Sequence, residues 1–218
     1  PGMTELEAAA ELEYLMKEPT DSMKRAKSLC RLLKAKGSVK PQVEVEPEML
    51  TVSLASASQA AEAGEKIVIL HTNDVHCQVD QAKNTDGAVT NIGYAGVAGY
   101  RDLMAARYGN GNVTLVDAGD ALQGGPIGTL SKGGYIVDIM NQVGYDMAAP
   151  GNHEFDYGME RFLELAKNEA DYSYVCCNFI DLKTGSPVFD PYKMVTYGEI
   201  KVAYVGIDTP ESFTKSTP

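Results

Sequence analysis

The chain has 218 residues, 44% of them apolar, with a formal net charge of −11 and a sequence pI of about 4.7. That length holds one domain of ordinary size with a small appendage. The acidic balance excludes a general binder of nucleic acid polymers or of anionic membranes, because both demand a basic face. No stretch approaches the roughly 20 apolar residues that span a bilayer. A small phosphate substrate remains compatible, since bound cations invert the local field of an acidic site.

Residues 1–40 read as a helical hairpin. Thr4 and Glu7 fit a capping box, and Leu6, Ala9, Leu12, Leu15 and Met16 follow at helical spacing. Pro19 interrupts that pattern, and a second helix carries Met23, Ala26, Cys30 and Leu33 on one face. The first helix is acidic and the second basic, which suits complementary faces. Residues 41–65 read as a linker, with Pro41, Pro47 and a Ser/Ala-rich run ending at Gly64. Ala55 to Ala57 resembles a signal-peptidase site, but its flank is acidic, so the linker reading is preferred.

From Lys66 onward strand and helix alternate. Ile67–Leu70 reads as a strand buried on both faces, 93–108 as a helix, Val113–Val116 as a buried strand and Tyr135–Val143 as a helix stopped by Gly144. Asp146–Ala149 follows as a short strand, Met159–Ala170 as an amphipathic helix and Tyr172–Cys177 as a further strand. Tyr192–Tyr197 and Lys201–Ile207 read as a hairpin. The expectation is a layered α/β domain over 66–218, with a mixed β-sheet flanked by helices. The cysteines, Cys30, Cys77, Cys176 and Cys177, have no metal-type spacing and read as reduced and structural.

Three segments carry the chemistry. Asp74 and His76 follow the first strand, Asp117 and Asp120 the second, and Asn152, His153 and Glu154 a third. In α/β sheets ligands gather at the carboxyl ends of strands, so three loops are expected to converge. Carboxylate, imidazole and amide oxygen without thiolate suit Mn, Zn, Fe, Co or Mg. The i, i+2 spacing of Asp74 and His76 puts both on one side of an extended segment, and Asp120 could bridge two cations. Two such cations could hold a hydroxide and stabilise in-line displacement at phosphorus. His71, ending the first strand, reads as a hydrogen-bonded structural residue rather than a ligand.

The segments 67–76, 116–124 and 151–158 resemble the amino-terminal part of the 5′-nucleotidase family, within the calcineurin-like metallophosphoesterases. The resemblance implies two divalent metal ions and assigns residues to them. Asp74 and His76 match ligands of the first metal, Asp120 the bridging carboxylate and Asn152 a ligand of the second. His153 matches the histidine that stabilises the phosphoryl transition state, and Asp156 the carboxylate orienting it. Asp117 matches no ligand and is expected to support the ligands or cap a loop, and Glu154 likewise to support the ligands rather than bind a metal. The implied reaction is hydrolysis of nucleoside 5′-monophosphates or related phosphate esters by a metal-activated hydroxide. The alternatives are 2′,3′-cyclic-nucleotide phosphodiesterase or nucleotide-sugar hydrolase activity, or a non-catalytic fragment that associates through its hairpin.

The family completes its metal shell with histidines further downstream and grips the nucleoside with a carboxy-terminal domain. No histidine follows His153 here. Weak or absent turnover of the chain alone is therefore expected, with a further carboxy-terminal part or another chain completing the site. The resemblance also implies an extracytoplasmic or cell-surface setting.

Overall fold

The computed structural model describes residues 66–216. The expected helical hairpin, the linker and Cys30 lie outside the described residues. Within them the elements run β1 (Val68–Thr72), β2 (Ala82–Lys83), β3 (Val89–Asn91), α1 (Gly93–Tyr108), β4 (Val113–Asp117), α2 (Pro126–Ser131) and α3 (Gly134–Val143). Then come β5 (Met147–Ala148), α4 (Met159–Glu164), β6 (Ser173–Tyr174), β7 (Tyr192–Tyr197), β8 (Ile200–Val205) and α5 (Ser212–Lys215). No helix among the described residues is long and apolar enough to cross a membrane.

Four strands form a parallel sheet in the order β1-β4-β5-β6, and β7 and β8 form a separate antiparallel pair. Alternation along β4 sorts the layers. Leu115 packs among Tyr94, Ala98, Ile136, Met140 and Phe162 in the main core. Thr114 points to the opposite face, where its hydroxyl meets that of Tyr197 on β7. Helices thus cover one face of the sheet and the hairpin lies against the other. The expected mixture of strand directions is realised as the parallel sheet and two separate antiparallel pairs, β2–β3 and β7–β8.

Boundaries moved where tertiary contacts outweigh local pattern. β1 is an edge strand among the described residues, and Ile69 is 50% exposed, so the strand is not buried on both faces. The expected strand 172–177 pairs with β5 only through Ser173 and Tyr174. Its continuation changes partners: the Cys176 N–H donates to the Asp190 carbonyl (2.9 Å) and that of Cys177 to Gly206 (2.8 Å). The helix expected over 159–170 ends as a wider π turn at Leu165–Glu169. That turn presents the Glu169 carbonyl to the Asn141 amide of α3 at 2.8 Å, while Arg161 pairs with Glu164 at 2.7 Å and with Glu169 at 2.6 Å. α3 ends as expected at Gly144, whose φ of 87° and N–H bond to the Met140 carbonyl make a left-handed cap.

The site end of the sheet is held by side chains as well as by strands. Thr72 of β1 donates to Asp117 of β4 at 2.6 Å, and its hydroxyl meets that of Tyr145 at 2.9 Å. Asp117 is 4% exposed, and burial pushes its carboxyl up to about 7 despite the Thr72 bond. The turn carrying His153 is anchored by Phe155, whose ring meets Phe162 edge-on at 5.1 Å and Phe179 at 5.4 Å.

An acid raised in the folded state binds its proton there before the unfolded chain does. The stability it adds is complete below the unfolded value of 3.8 and is lost as pH rises through about 7. In chelator, the stability advantage of wild type over Asp117→Asn is expected to shrink between pH 4 and pH 8, by at most about 4 kcal/mol. Urea unfolding across that range measures it. A gap that does not change with pH would contradict the assignment.

Candidate metal centre

Three loops leave the carboxyl ends of β1, β4 and β5 and meet, as the strand-end positions of the motifs led us to expect. The first two run side by side and prolong the β1–β4 pairing. The N–H groups of Asp74, His76 and Cys77 donate to the carbonyls of Gly119, Asp120 and Ala121 at 3.0, 2.9 and 3.1 Å. The first loop is not the extended segment that the Asp74–His76 spacing suggested. Asp74, His76 and Cys77 take positive φ values of 51°, 46° and 60°, and Asp120 opposite them takes 61°. Non-glycine residues rarely accept this conformation, and it clusters where surroundings over-determine the backbone. The side chains converge nonetheless, with Asp74 Oδ1 4.0 Å from His76 Nε2.

One ligand atom from each of His76, Asp120 and His153 lies within 4.8 Å of the others. The His76 and His153 rings stand edge to face with centroids 5.0 Å apart. His76 Nδ1 lies 3.1 Å from the Gln123 carbonyl. A carbonyl can only accept, so Nδ1 carries the proton and Nε2 keeps its lone pair for a cation. The His76 imidazole and the Asp120 carboxylate suit a divalent transition metal, with the His153 ring beside them. Asn152 opens the 3₁₀ turn Asn152–Phe155 beside the cluster, and Asp74 is exposed at its rim.

His153 is tied on both sides. Its backbone N–H donates to Asp120 Oδ1 at 2.8 Å, and its Nδ1 lies 2.7 Å from Asp156 Oδ2. The Asp156 hydrogen bond holds the imidazole above its ordinary pKa, against a smaller lowering by burial. Close approach at the site needs missing side chains. A Cβ on Gly151 would run into Asp120 Oδ1, and one on Gly124 would run into the His76 carbonyl.

Beneath the cluster sits Glu154, 1% exposed. Its Oε2 accepts the N–H groups of Asp120 (2.7 Å) and Gly151 (2.6 Å), and its Oε1 those of Ala121 (2.8 Å) and Leu122 (3.2 Å). Burial raises its carboxyl, and these four donors pull it back toward the charged form. Sequence reasoning gave Glu154 a supporting role but missed that it links two loops. The available signal was its position three residues after Gly151, where a glutamate can reach back to a free turn N–H.

Other expectations changed. His71 is exposed on the β1 edge rather than a buried structural residue, and it lies outside the cluster. Cys77 keeps its reading as reduced and structural: it is buried, its thiol reaches the Leu122 carbonyl at 3.1 Å, and burial pushes that thiol's pKa up. Cys77, Cys176 and Cys177 are all free thiols.

The chain is 33% identical over 188 residues to a snake venom 5′-nucleotidase from Gloydius brevicauda, an alignment covering 82% of this chain and 32% of that protein. It is 32% identical over 186 residues to a 2′,3′-cyclic-nucleotide 2′-phosphodiesterase/3′-nucleotidase from Yersinia enterocolitica, covering 74% of this chain and 28% of that one. Among solved structures it resembles a 5′-nucleotidase precursor from Thermus thermophilus, with a TM-score of 0.61, 29% identity, and coverage of 70% of this chain and 30% of the other. The chain thus spans about a third of the length of the curated relatives it matches. The family model of the calcineurin-like phosphoesterases matches residues 67–217, which include every element of the converging loops, and the chain belongs to that family.

Proposed function

We propose that the cluster built on His76, Asp120 and His153 serves hydrolysis of phosphate esters, with nucleoside 5′-monophosphates as the substrate class. The observation that carries this reading is the convergence of those three side chains within 4.8 Å, beside a histidine already held by a carboxylate. The substrate class rests on the names of the relatives.

In this reading Asp74, His76, Asp120 and Asn152 would hold two divalent cations. Bound there, the cations supply Lewis-acid charge for the phosphoryl oxygens and a lowered pKa for the attacking water. Asp156 occupies His153 Nδ1, which leaves Nε2 to face the substrate. As imidazolium, His153 donates to a phosphoryl oxygen or to the departing ester oxygen. Asp156 fixes its tautomer and ring orientation. Asp117 and Glu154 hold the loops from below and touch no substrate.

The cluster contains two imidazoles, since the third histidine, His71, lies outside it. Weak turnover is therefore the expectation for these residues alone. A further carboxy-terminal part or a second chain that supplies ligands would raise it. The Yersinia relative favours a second reading, hydrolysis of 2′,3′-cyclic nucleotides on the same scaffold. An extracytoplasmic setting belongs to the proposal, supported by a relative from venom.

Phosphate release from AMP with excess Mn²⁺ tests the main reading, and 2′,3′-cyclic AMP in the same assay tests the second. Wild type is expected to release phosphate slowly and to stop in chelator, and His153→Ala to lose on the order of 100-fold. Release that survives both changes would refute the assignment. Asp156→Asn is expected to lower kcat by about 10- to 100-fold with an unchanged unfolding midpoint. Unaltered kcat would remove Asp156 from the machinery.

A further inference from the structure

Glu154 is the most completely buried carboxylate near the cluster, and no step of the proposed reaction uses it. Its two oxygens receive four backbone N–H groups, three consecutive ones from the loop after β4 and one from the loop after β5. Consecutive N–H groups pointing into one concavity form an anion-binding nest. Here the chain fills that nest with its own side chain. The link is reciprocal, because Asp120 Oδ1 in turn accepts the His153 N–H at 2.8 Å. Asp120, itself one of the four donors, takes a φ of 61°, a left-handed conformation that Asp visits more readily than most residues and that its surroundings select.

We propose that Glu154 is a positioning residue that sets the cation affinity of the site by holding Asp120 in its left-handed conformation and so aiming its carboxylate. The cation-affinity part rests on the reading of the cluster as a metal centre; the restraint on the two loops does not. An isosteric glutamine tests the requirement for charge. It replaces one acceptor oxygen with an NH₂ group that faces N–H donors, so at least part of the nest loses its acceptor. Asp120 is then free to relax to an ordinary backbone conformation, carrying its carboxylate away from His76. Glu154→Asp keeps the charge on a shorter arm and is expected to lie between the two.

Two measurements on the full chain separate the parts. Amide hydrogen exchange by NMR, in chelator, reads the clamp without any cation. In wild type the amides of Asp120, Ala121, Leu122 and Gly151 are expected to be protected and to open together. In Glu154→Gln these four should exchange at least tenfold faster, while the β4 amide of Leu115, which donates to Asp146 at 2.8 Å, should not change. Unequal protection of the four in wild type, or unchanged exchange of the four in a folded variant, would overturn the clamp. Wild-type exchange decides this arm even where a variant fails to fold.

Titration with Co²⁺, followed by its visible absorption, reads the consequence. Affinity is expected to fall about 10- to 100-fold in Glu154→Gln with a changed spectrum, and to recover partly in Glu154→Asp. Equal affinity and an identical spectrum in wild type and Glu154→Gln would overturn the positioning role. Absence of Co²⁺ binding by wild type would instead overturn the metal-centre reading, with the exchange result still deciding the clamp.

Discussion

Four backbone N–H groups from two loops end on the carboxylate of Glu154, and the geometry of the site follows from that one buried charge. Loops leaving parallel strands have no ladder to hold them together once the strands end. Here the first two loops prolong the β1–β4 pairing through three backbone hydrogen bonds. The second and third are joined by Glu154 and by the Asp120–His153 contact. A carboxylate without these donors would carry the full cost of desolvation. Donors without the carboxylate would be buried and unpaired. Each half requires the other, which is why a carboxyl group can sit at 1% exposure.

The same arrangement concentrates negative charge. Asp117, Glu154 and Asp120 share this end of the sheet: Glu154 and Asp120 both raise the Asp117 carboxyl, and Asp120 raises that of Glu154. Two consequences follow. A proton on Asp117 relieves part of that charge, and a divalent cation at Asp120 would relieve another part. The acidic end of this sheet is thus built to favour cations, in keeping with an overall charge of −11.

Much of this was legible beforehand. Strand–helix alternation located the sheet, and the placement of Asp74, Asp120 and Asn152 just after strands predicted convergence, because strand ends in parallel sheets share one edge. The helix over 93–108 was readable in the sequence, and its bounds are those observed. What was hidden depends on partners distant in sequence. An apolar run such as Ile67–Leu70 does not tell whether a strand lies in the centre or at the edge of a sheet. The left-handed backbone at Asp74, His76 and Cys77 has no local glycine signal and exists only because the neighbouring loop accepts their N–H groups. The π turn at Leu165–Glu169 likewise answers to Asn141 on another helix. His71 looked structural because it ends a strand, and the edge position of β1 exposes it.

The central claim is that His76 and Asp120 converge to hold a divalent cation, with His153 poised beside it. Anomalous diffraction from crystals of the full chain soaked in Mn²⁺ tests it most directly. The expected result is an anomalous peak within coordination distance of the Asp120 carboxylate and His76 Nε2, absent from crystals of Asp120→Asn. Saturating Mn²⁺ that leaves this position empty, or a peak held by other residues, would contradict it.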